Sequence, residues 1–465
     1  MAHDELRDYR PETHFTPQKG WINDPNGLIR RNGIWHLFAQ HNPYAPDWDP
    51  AMHWIHAQSM DLLSWEELGV ALAPDGKLGG VYSGSAVTDT GNTSGLGGVP
   101  DPVICMFTHH GDHEQQSIAV SDDGYHFTPY AGNPVIPNTK LKDFRDPKVF
   151  RNEILDCWSA AIAAGDHVEF YASDDLIRWK KTGEFGKAEN TLGGIFECPD
   201  LFPLRAPDGE PYWVLISSMV LNTPFGGNRA QYFIGDFDGY TFRQTVPSPE
   251  PLLLDAGYDA YAQVTFSGVD DVLMMGWATN PVYCSEIPTG EFRGILTYAR
   301  RLSLAQTKRG LRLAGTPVVP LFYPEAHPSV PQTPVRPDQK LPPKAEAELK
   351  GELFCVKVEA DGPFTLALTN EAGEELRITL DNLGQFVVDR SDAGIRDFSR
   401  AYASGLMSVT KTPRLLDGHV SLKLYFDHMI AEIFADEGTF AHTSLVFPLA
   451  PYSKAVLLGE GTLWV

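Results

Sequence analysis

Long apolar runs are missing from this 465-residue sequence. Nothing approaches the ~18 apolar residues of a membrane-spanning helix, and the start, Met1 to Arg10, has no apolar core of leader length. A soluble, cytoplasmic protein without a membrane partner is therefore expected. Cysteine is scarce as well: Cys105, Cys157, Cys198, Cys284 and Cys355 are odd in number, scattered, and form no Cys-x-x-Cys pair. That excludes a disulfide framework and fits a reducing compartment. Basic residues are outnumbered, 37 Lys and Arg against 60 Asp and Glu, for a formal charge of −23. Such a field repels phosphate backbones, so nucleic acid is excluded as a partner. A Walker loop, a Gly-x-Gly-x-x-Gly turn and a Gly-x-Ser-x-Gly elbow are all absent, and no cofactor is implied. No metal is implied either, because His109, His110, His113 and Glu114 match no standard ligand spacing and read as a solvated turn.

Long amphipathic helical patterns are also lacking, and what remains is short β-type runs. Ile34 to Phe38, Val103 to Phe107 and Tyr212 to Ile216 are typical, separated by Gly, Pro, Asn and Asp clusters. A weak repeat organises them. Asp61-Leu-Leu-Ser-Trp65, Ser121-Asp-Asp-Gly-Tyr-His-Phe127, Ser173-Asp-Asp-Leu-Ile-Arg-Trp179 and Asp236-Phe-Asp-Gly-Tyr-Thr-Phe242 end on aromatics spaced 52 to 63 residues apart. That period suits four-stranded β-propeller blades. A second set, Asn23-Asp24-Pro25, Tyr82-Ser83-Gly84-Ser85, Arg145-Asp146-Pro147, Glu197-Cys198-Pro199 and Asp259-Ala260-Tyr261, recurs with a similar period. Equivalent positions in successive blades surround one axis, so these motifs are expected to converge at one end of a central channel. The fold class is all-β: a five-bladed propeller over 1–316, a Pro-rich linker over 317–343 and a C-terminal β-sandwich over 344–465. A two-sheet sandwich with several Ser-Asp turns is the competing architecture for the first region.

Three carboxylates occupy the inner motifs: Asp24, on a turn constrained by Pro25 and Gly27, with Asp146 and Glu197. Glycosyl transfer through an oxocarbenium-like transition state needs an acid for the leaving oxygen and a carboxylate at the anomeric carbon. Asp24 and Glu197 are the obvious pair. A salt bridge of Asp146 to Arg145 or Lys148 is the bland alternative. Trp21, Trp48, Tyr82 and Trp277 offer flat surfaces for sugar C–H faces, while Asn23, Gln40, Ser83 and Arg145 offer donors to hydroxyls.

On these residues the chain resembles glycoside hydrolase family 32, the β-fructofuranosidases that include invertases, exo-inulinases and levanases. Trp21 to Gly27 is similar to its Trp-x-Asn-Asp-Pro-Asn-Gly signature, Phe144 to Pro147 to its Arg-Asp-Pro motif, and Phe196 to Asp200 to its Glu-Cys motif. The likeness continues through Ser83 to Val87, Gly276-Trp277, Val388 to Ser391 and Ala431 to Phe434. It implies a five-bladed propeller followed by a sandwich, and retention at the fructosyl C2. It also implies Asp24 as nucleophile, Glu197 as acid and then base, and Asp146 as transition-state stabiliser beside Arg145. Glu197 would be kept protonated and Asp24 ionised. Asn23, Gln40, Trp48, Ser83 and Trp277 resemble fructose-pocket residues, Tyr82 adds an aromatic wall, and Asp259 resembles a position that varies with the leaving sugar. Val70 to Asp75 is similar to intracellular sucrose-cleaving members, so sucrose and short fructo-oligosaccharides are the expected small-molecule partners. Ala39, Ile55 and Ala260 depart from the usual pattern, and smaller side chains at 39 and 260 are expected to reshape the pocket. Two other functions are compatible with the motifs: a fructosyltransferase using the same site, and a non-catalytic sugar-binding propeller. A homo-oligomer is compatible with both domains.

Overall fold

The short β runs pair with their neighbours as antiparallel hairpins, and in the computed structural model these group into five sheets between Gly20 and Pro317. Residues 7–187, 192–220, 227–322, 324–332 and 342–465 are described. The leading strands of the five sheets are Gly20–Arg31, Gly80–Thr88, Phe144–Asn152, Ile195–Arg205 and Tyr261–Thr265. Three more strands follow each in chain order. The leading strands touch one another in a closed ring, so they are the innermost strands of a five-bladed β-propeller. The dipeptide Phe292–Arg293 of the fifth blade crosses over and pairs in parallel with Gly20 and Trp21, tying last blade to first.

The outer repeat is one turn used four times, between the third and fourth strands of a blade. Asp61, Asp123, Asp175 and Asp238 each accept two backbone N–H groups through Oδ1, from residues two and three further on, at 2.7–3.0 Å. An Asp side chain that caps its own turn is the physical reason for the repeat.

The inner repeat is a β-bulge. The pairing of each leading strand with its neighbour skips one residue: between Ile22 and Pro25, Val81 and Gly84, Arg145 and Lys148, Glu197 and Asp200, and Tyr261 and Val264. Asp146, Cys198 and Ala262 take left-handed φ of 63°, 46° and 50° there. Five equivalent bulges lie at the same level around the axis.

Two six-stranded sheets form the C-terminal sandwich. Their inner faces bury an apolar core that includes Val356, Leu366, Ile378, Leu422 and Ile433. Ala326–Pro328 pairs with Thr462–Trp464, so the sandwich recruits a strand from within the stretch expected to be linker. Within that stretch, 323 and 333–341 lie outside the described residues. Among the described residues no helix is long and apolar enough to cross a membrane.

Charge, buried in quantity, joins the two domains. Arg300 donates to Asp255 at 2.7 Å and to Glu432 at 2.6 Å. Asp427 accepts the backbone N–H groups of Glu12 and Thr13 at 2.8 and 2.9 Å and the His14 ring at 2.8 Å. Asp259, fully buried, accepts from Arg390, the Tyr283 hydroxyl and the Leu445 N–H. Asp259 is thus a domain-joining carboxylate with both oxygens engaged, which corrects its expected place against the leaving sugar.

Burial opposes the charges on Asp255, Asp427 and Glu432, but Arg300 acts on Asp255 and Glu432 and the His14 hydrogen bond on Asp427, and all three carboxyls fall below their ordinary pKa. Their contribution is therefore present above the usual carboxylate range and lost as pH falls through the depressed values. Burial also opposes a charged His14, yet its bonds to Asp427 and Glu432 raise it, so that contribution is lost as pH rises through the raised value. Removing one partner of such a pair strands the other. Asp259→Ala is expected to lower unfolding stability by about 3–5 kcal/mol in urea titrations. A loss below about 1 kcal/mol would show that the pair does not hold the domains.

Candidate active site

The bulges decide which side chains meet. Asp24, in the first bulge, accepts at Oδ1 from Asn23 Nδ2 at 3.1 Å. At Oδ2 it accepts from Ser83 Oγ at 2.6 Å, Gln40 Nε2 at 3.2 Å and Cys198 Sγ at 3.5 Å. Asn23 is itself oriented by Trp21, whose Nε1–H donates to Asn23 Oδ1 at 2.7 Å and leaves the amide N–H groups facing Asp24. Four donors from the first, second and fourth blades thus converge on one carboxylate.

Asp146 takes neither of the salt bridges open to it in the sequence. Lys148 pairs with Asp200 at 2.9 Å deeper in the ring, and Arg145 turns to other carboxylates. Asp146 Oδ2 instead accepts the Cys198 N–H at 2.9 Å, with Cys198 Sγ 3.6 Å away. One cysteine sulfur therefore lies against both Asp24 and Asp146. Burial first, then the negative charges of Glu197 and Asp24, raise the Asp146 carboxyl well above its ordinary value despite Arg145.

Glu197 is held from two sides. Arg145 donates to Oε1 through Nε at 3.1 Å and Nη2 at 2.9 Å, and the Tyr261 hydroxyl donates to Oε2 at 2.6 Å. Burial is the largest influence on this carboxyl and raises its pKa, the Asp24 charge adds to the rise, and Arg145 and Tyr261 act against it. Arg145 also reaches Glu114 at 3.2 Å and Asp143 at 2.9 Å through Nη1.

Glu114, Asp143 and Tyr261 were not legible as site residues. Of the Glu114 cluster His113 lies in an exposed turn, whereas Glu114 is drawn inward by Arg145, His109 is buried against Ser117 at 2.7 Å, and the His110 ring stacks on Tyr82 at 4.2 Å. Tyr261 was hidden by a phase slip. The bulges align Arg145, Glu197 and Tyr261, which places Tyr261, and not Asp259, in the fifth inner position.

The aromatic residues divide between core and rim. Trp21 and Trp277 are buried edge to face at 5.8 Å, and the Trp277 Nε1–H has no partner among the described residues. Trp48 is 48% exposed, edge-on to Tyr82 at 6.4 Å, on a loop anchored by Arg293 to the Pro46 carbonyl and the Asp47 carboxylate at 2.8 Å. Ala39 and Ile55 are opposite one another in adjacent strands and packed in an apolar cluster with Trp21 and Met52. Substitution at 39 is therefore absorbed by core packing, not by a larger pocket.

Two differently surrounded carboxyls on the first and fourth blades, with a third on the third blade pinned by a backbone N–H, define a glycoside hydrolase. Residues 14–317 match the glycosyl hydrolases family 32 N-terminal domain and residues 329–462 the family 32 C-terminal domain. Levanase of Bacillus subtilis is 38% identical over 95% of this chain and 67% of its own length. Extracellular exo-inulinase of Aspergillus niger is 34% identical over 97% of this chain and 92% of its own. The crystal structure of Aspergillus awamori exo-inulinase superposes with a TM-score of 0.86 at 30% identity, covering 100% of this chain and 99% of that one. That of Schwanniomyces occidentalis fructofuranosidase complexed with fructose gives 0.86 at 28%, covering 99% of each. The chain belongs to glycosyl hydrolase family 32 and is a fructose-releasing hydrolase.

Because the Tyr261 hydroxyl lowers the Glu197 pKa, its removal should raise it. In Tyr261→Phe, the alkaline limb of the kcat/KM profile is expected to move to higher pH, since a general acid is lost only as its proton leaves. A limb that stays in place or moves down would separate Glu197 from that ionisation.

Proposed function

We propose that this enzyme is a retaining, exo-acting β-fructofuranosidase that removes the terminal β-D-fructofuranosyl residue from sucrose and short fructo-oligosaccharides by double displacement. The observation that carries this reading is the division of labour between two carboxyls: Glu197 raised by burial, and Asp24 surrounded by four donors that suit an acceptor and nucleophile. In the first step an Asp24 oxygen attacks C2, the C2–O bond to the leaving sugar breaks, and Glu197 passes its proton to the departing oxygen. In the second step Glu197 takes a proton from water, the water oxygen attacks C2, and Asp24 is released. Asp146, fixed by the Cys198 N–H, would bind fructose hydroxyls. Gln40, Ser83 and Asn23 hold Asp24 in place, and Tyr82 and Trp48 form the wall beyond it.

The relatives named levanase, exo-inulinase and invertase differ in the substrate their names state, and support a terminal fructosyl unit as the shared feature. For the compartment, our reading remains a reducing interior, supported by five unpaired, buried cysteines, although several relatives are named extracellular. Fractionation of the source cells for sucrose-cleaving activity decides it.

Glu197→Ala is expected to lower kcat on sucrose by ~10²–10⁴-fold, the usual contribution of a positioned acid. Asp24→Ala should abolish release of fructose. Wild-type turnover in either variant would remove the assignment. Following the wild-type reaction by NMR should show β-fructofuranose released first. Trisaccharides accumulating with little free fructose would instead identify a transferase.

A further inference from the structure

Among the described residues five arginines are buried: Arg229, Arg300, Arg312, Arg390 and Arg414. Three are neutralised by carboxylates, Arg300 by Asp255 and Glu432, Arg390 by Asp259, and Arg414 by Asp436 at 2.7 Å. Arg229 and Arg312, 5% and 9% exposed, have no carboxylate within 4.0 Å among the described residues. Arg229 donates to the carbonyls of Asp255 and Ala256 at 3.0 and 3.2 Å and lies 4.4 Å over the Tyr258 ring. Among the described residues Arg312 donates only to the carbonyl of Leu311, its own neighbour, at 2.9 Å.

Both unpaired guanidinium groups line the same cleft. It measures about 900 Å³, lies between the last two blades and the sandwich, and shares no residue with the catalytic pocket. Arg309 and Lys411 stand on its wall, and its sole acidic lining residue among those described is Glu250, exposed and 3.4 Å from Arg309. Cations thus prevail here on a chain whose formal charge is −23. The remaining wall is apolar, with Leu252, Leu313 and Phe440. A buried charge is costly unless a counter-charge meets it, and an arginine fork matches a phosphate or carboxylate with two parallel hydrogen bonds.

We infer that this interdomain cleft is a binding site for a small phosphate monoester, with Arg229, Arg312 and Lys411 facing the phosphate and the apolar wall facing its carbon body. The volume is that of a small-molecule pocket, not of a single ion. Burial lowers the Arg229 pKa against the influence of Tyr258 and the Asp255 charge, and a bound anion would add to what opposes burial.

Titration calorimetry of the full chain with glucose 6-phosphate, at constant ionic strength, tests the site, with inorganic phosphate, citrate and sucrose run in parallel. Saturable binding of glucose 6-phosphate is expected, weaker binding of inorganic phosphate, and at least tenfold weaker glucose 6-phosphate binding in Arg312→Met, with sucrose hydrolysis unchanged in that variant. Lys411→Ala, on the exposed rim, covers a failure of Arg312→Met to fold, and should weaken binding in the same sense. No saturation by glucose 6-phosphate, binding of citrate alone, or unaltered affinity in both variants would overturn the inference.

Discussion

One extra residue in each of the five innermost strands is the constraint on which the active site depends. A regular strand sends successive side chains to opposite faces, so a regular ring would turn half of its polar residues away from the channel mouth. The bulge interrupts that alternation at one level in every blade, between Ile22 and Pro25, Val81 and Gly84, Arg145 and Lys148, Glu197 and Asp200, and Tyr261 and Val264. Pro25, Pro147 and Pro199 lie at three of these sites, where a lost N–H costs the ladder least. The left-handed backbone falls on Asp146, Cys198 and Ala262, none of them β-branched. The bulges of the first, third and fourth blades then bring Asp24 and Asp146 to a single cysteine sulfur and Glu197 to a single arginine.

Electrostatics follow from that crowding. Arg145 is the cation that touches Glu197, and it is shared with Glu114 and Asp143, so its charge is divided among three carboxylates. An arginine given wholly to Glu197 would oppose the effect of burial more strongly. Divided, it positions the carboxyl through two hydrogen bonds while burial still prevails and raises the pKa. Glu114 therefore acts on Glu197 through the arginine between them. The placing of Glu114 at the mouth of a hairpin, beside a His110 stacked on Tyr82, links this tuning to the aromatic wall of the pocket.

Much of this is readable in the sequence because turn chemistry and bulge chemistry both leave marks there. The Asp of the outer turn must cap two N–H groups, and the Asp-Pro and Cys-Pro of the inner strands must sit in a bulge, so both recur with the blade. Asp24, Asp146 and Glu197 were visible for that reason. What escaped lacked such a mark. Glu114 enters the site only through a cross-blade contact with Arg145, 31 residues away. Tyr261 has neither proline nor carboxylate beside it, and the conspicuous acid two positions earlier, Asp259, drew the assignment instead. The strand at Ala326–Pro328 lay inside a run of prolines, and prolines are tolerated there because the strand pairs at the edge of its sheet.

The same misassigned acid shows why the sandwich belongs to the catalytic unit. Asp259 precedes Tyr261 by two residues at the entry to the fifth inner strand. Its carboxylate is fixed by Arg390 and the Leu445 N–H of the sandwich, and by Tyr283 of the propeller. Tyr261 in turn donates to Glu197 at 2.6 Å. A hydrogen bond that short tolerates little displacement of the donor, so the strand that carries it has to be held from behind. The fifth blade is also where the ring closes, and it has only five residues in its leading strand against nine or more in the other four. Ion pairs from the second domain thus brace the blade with the shortest inner strand at the point where it touches Glu197.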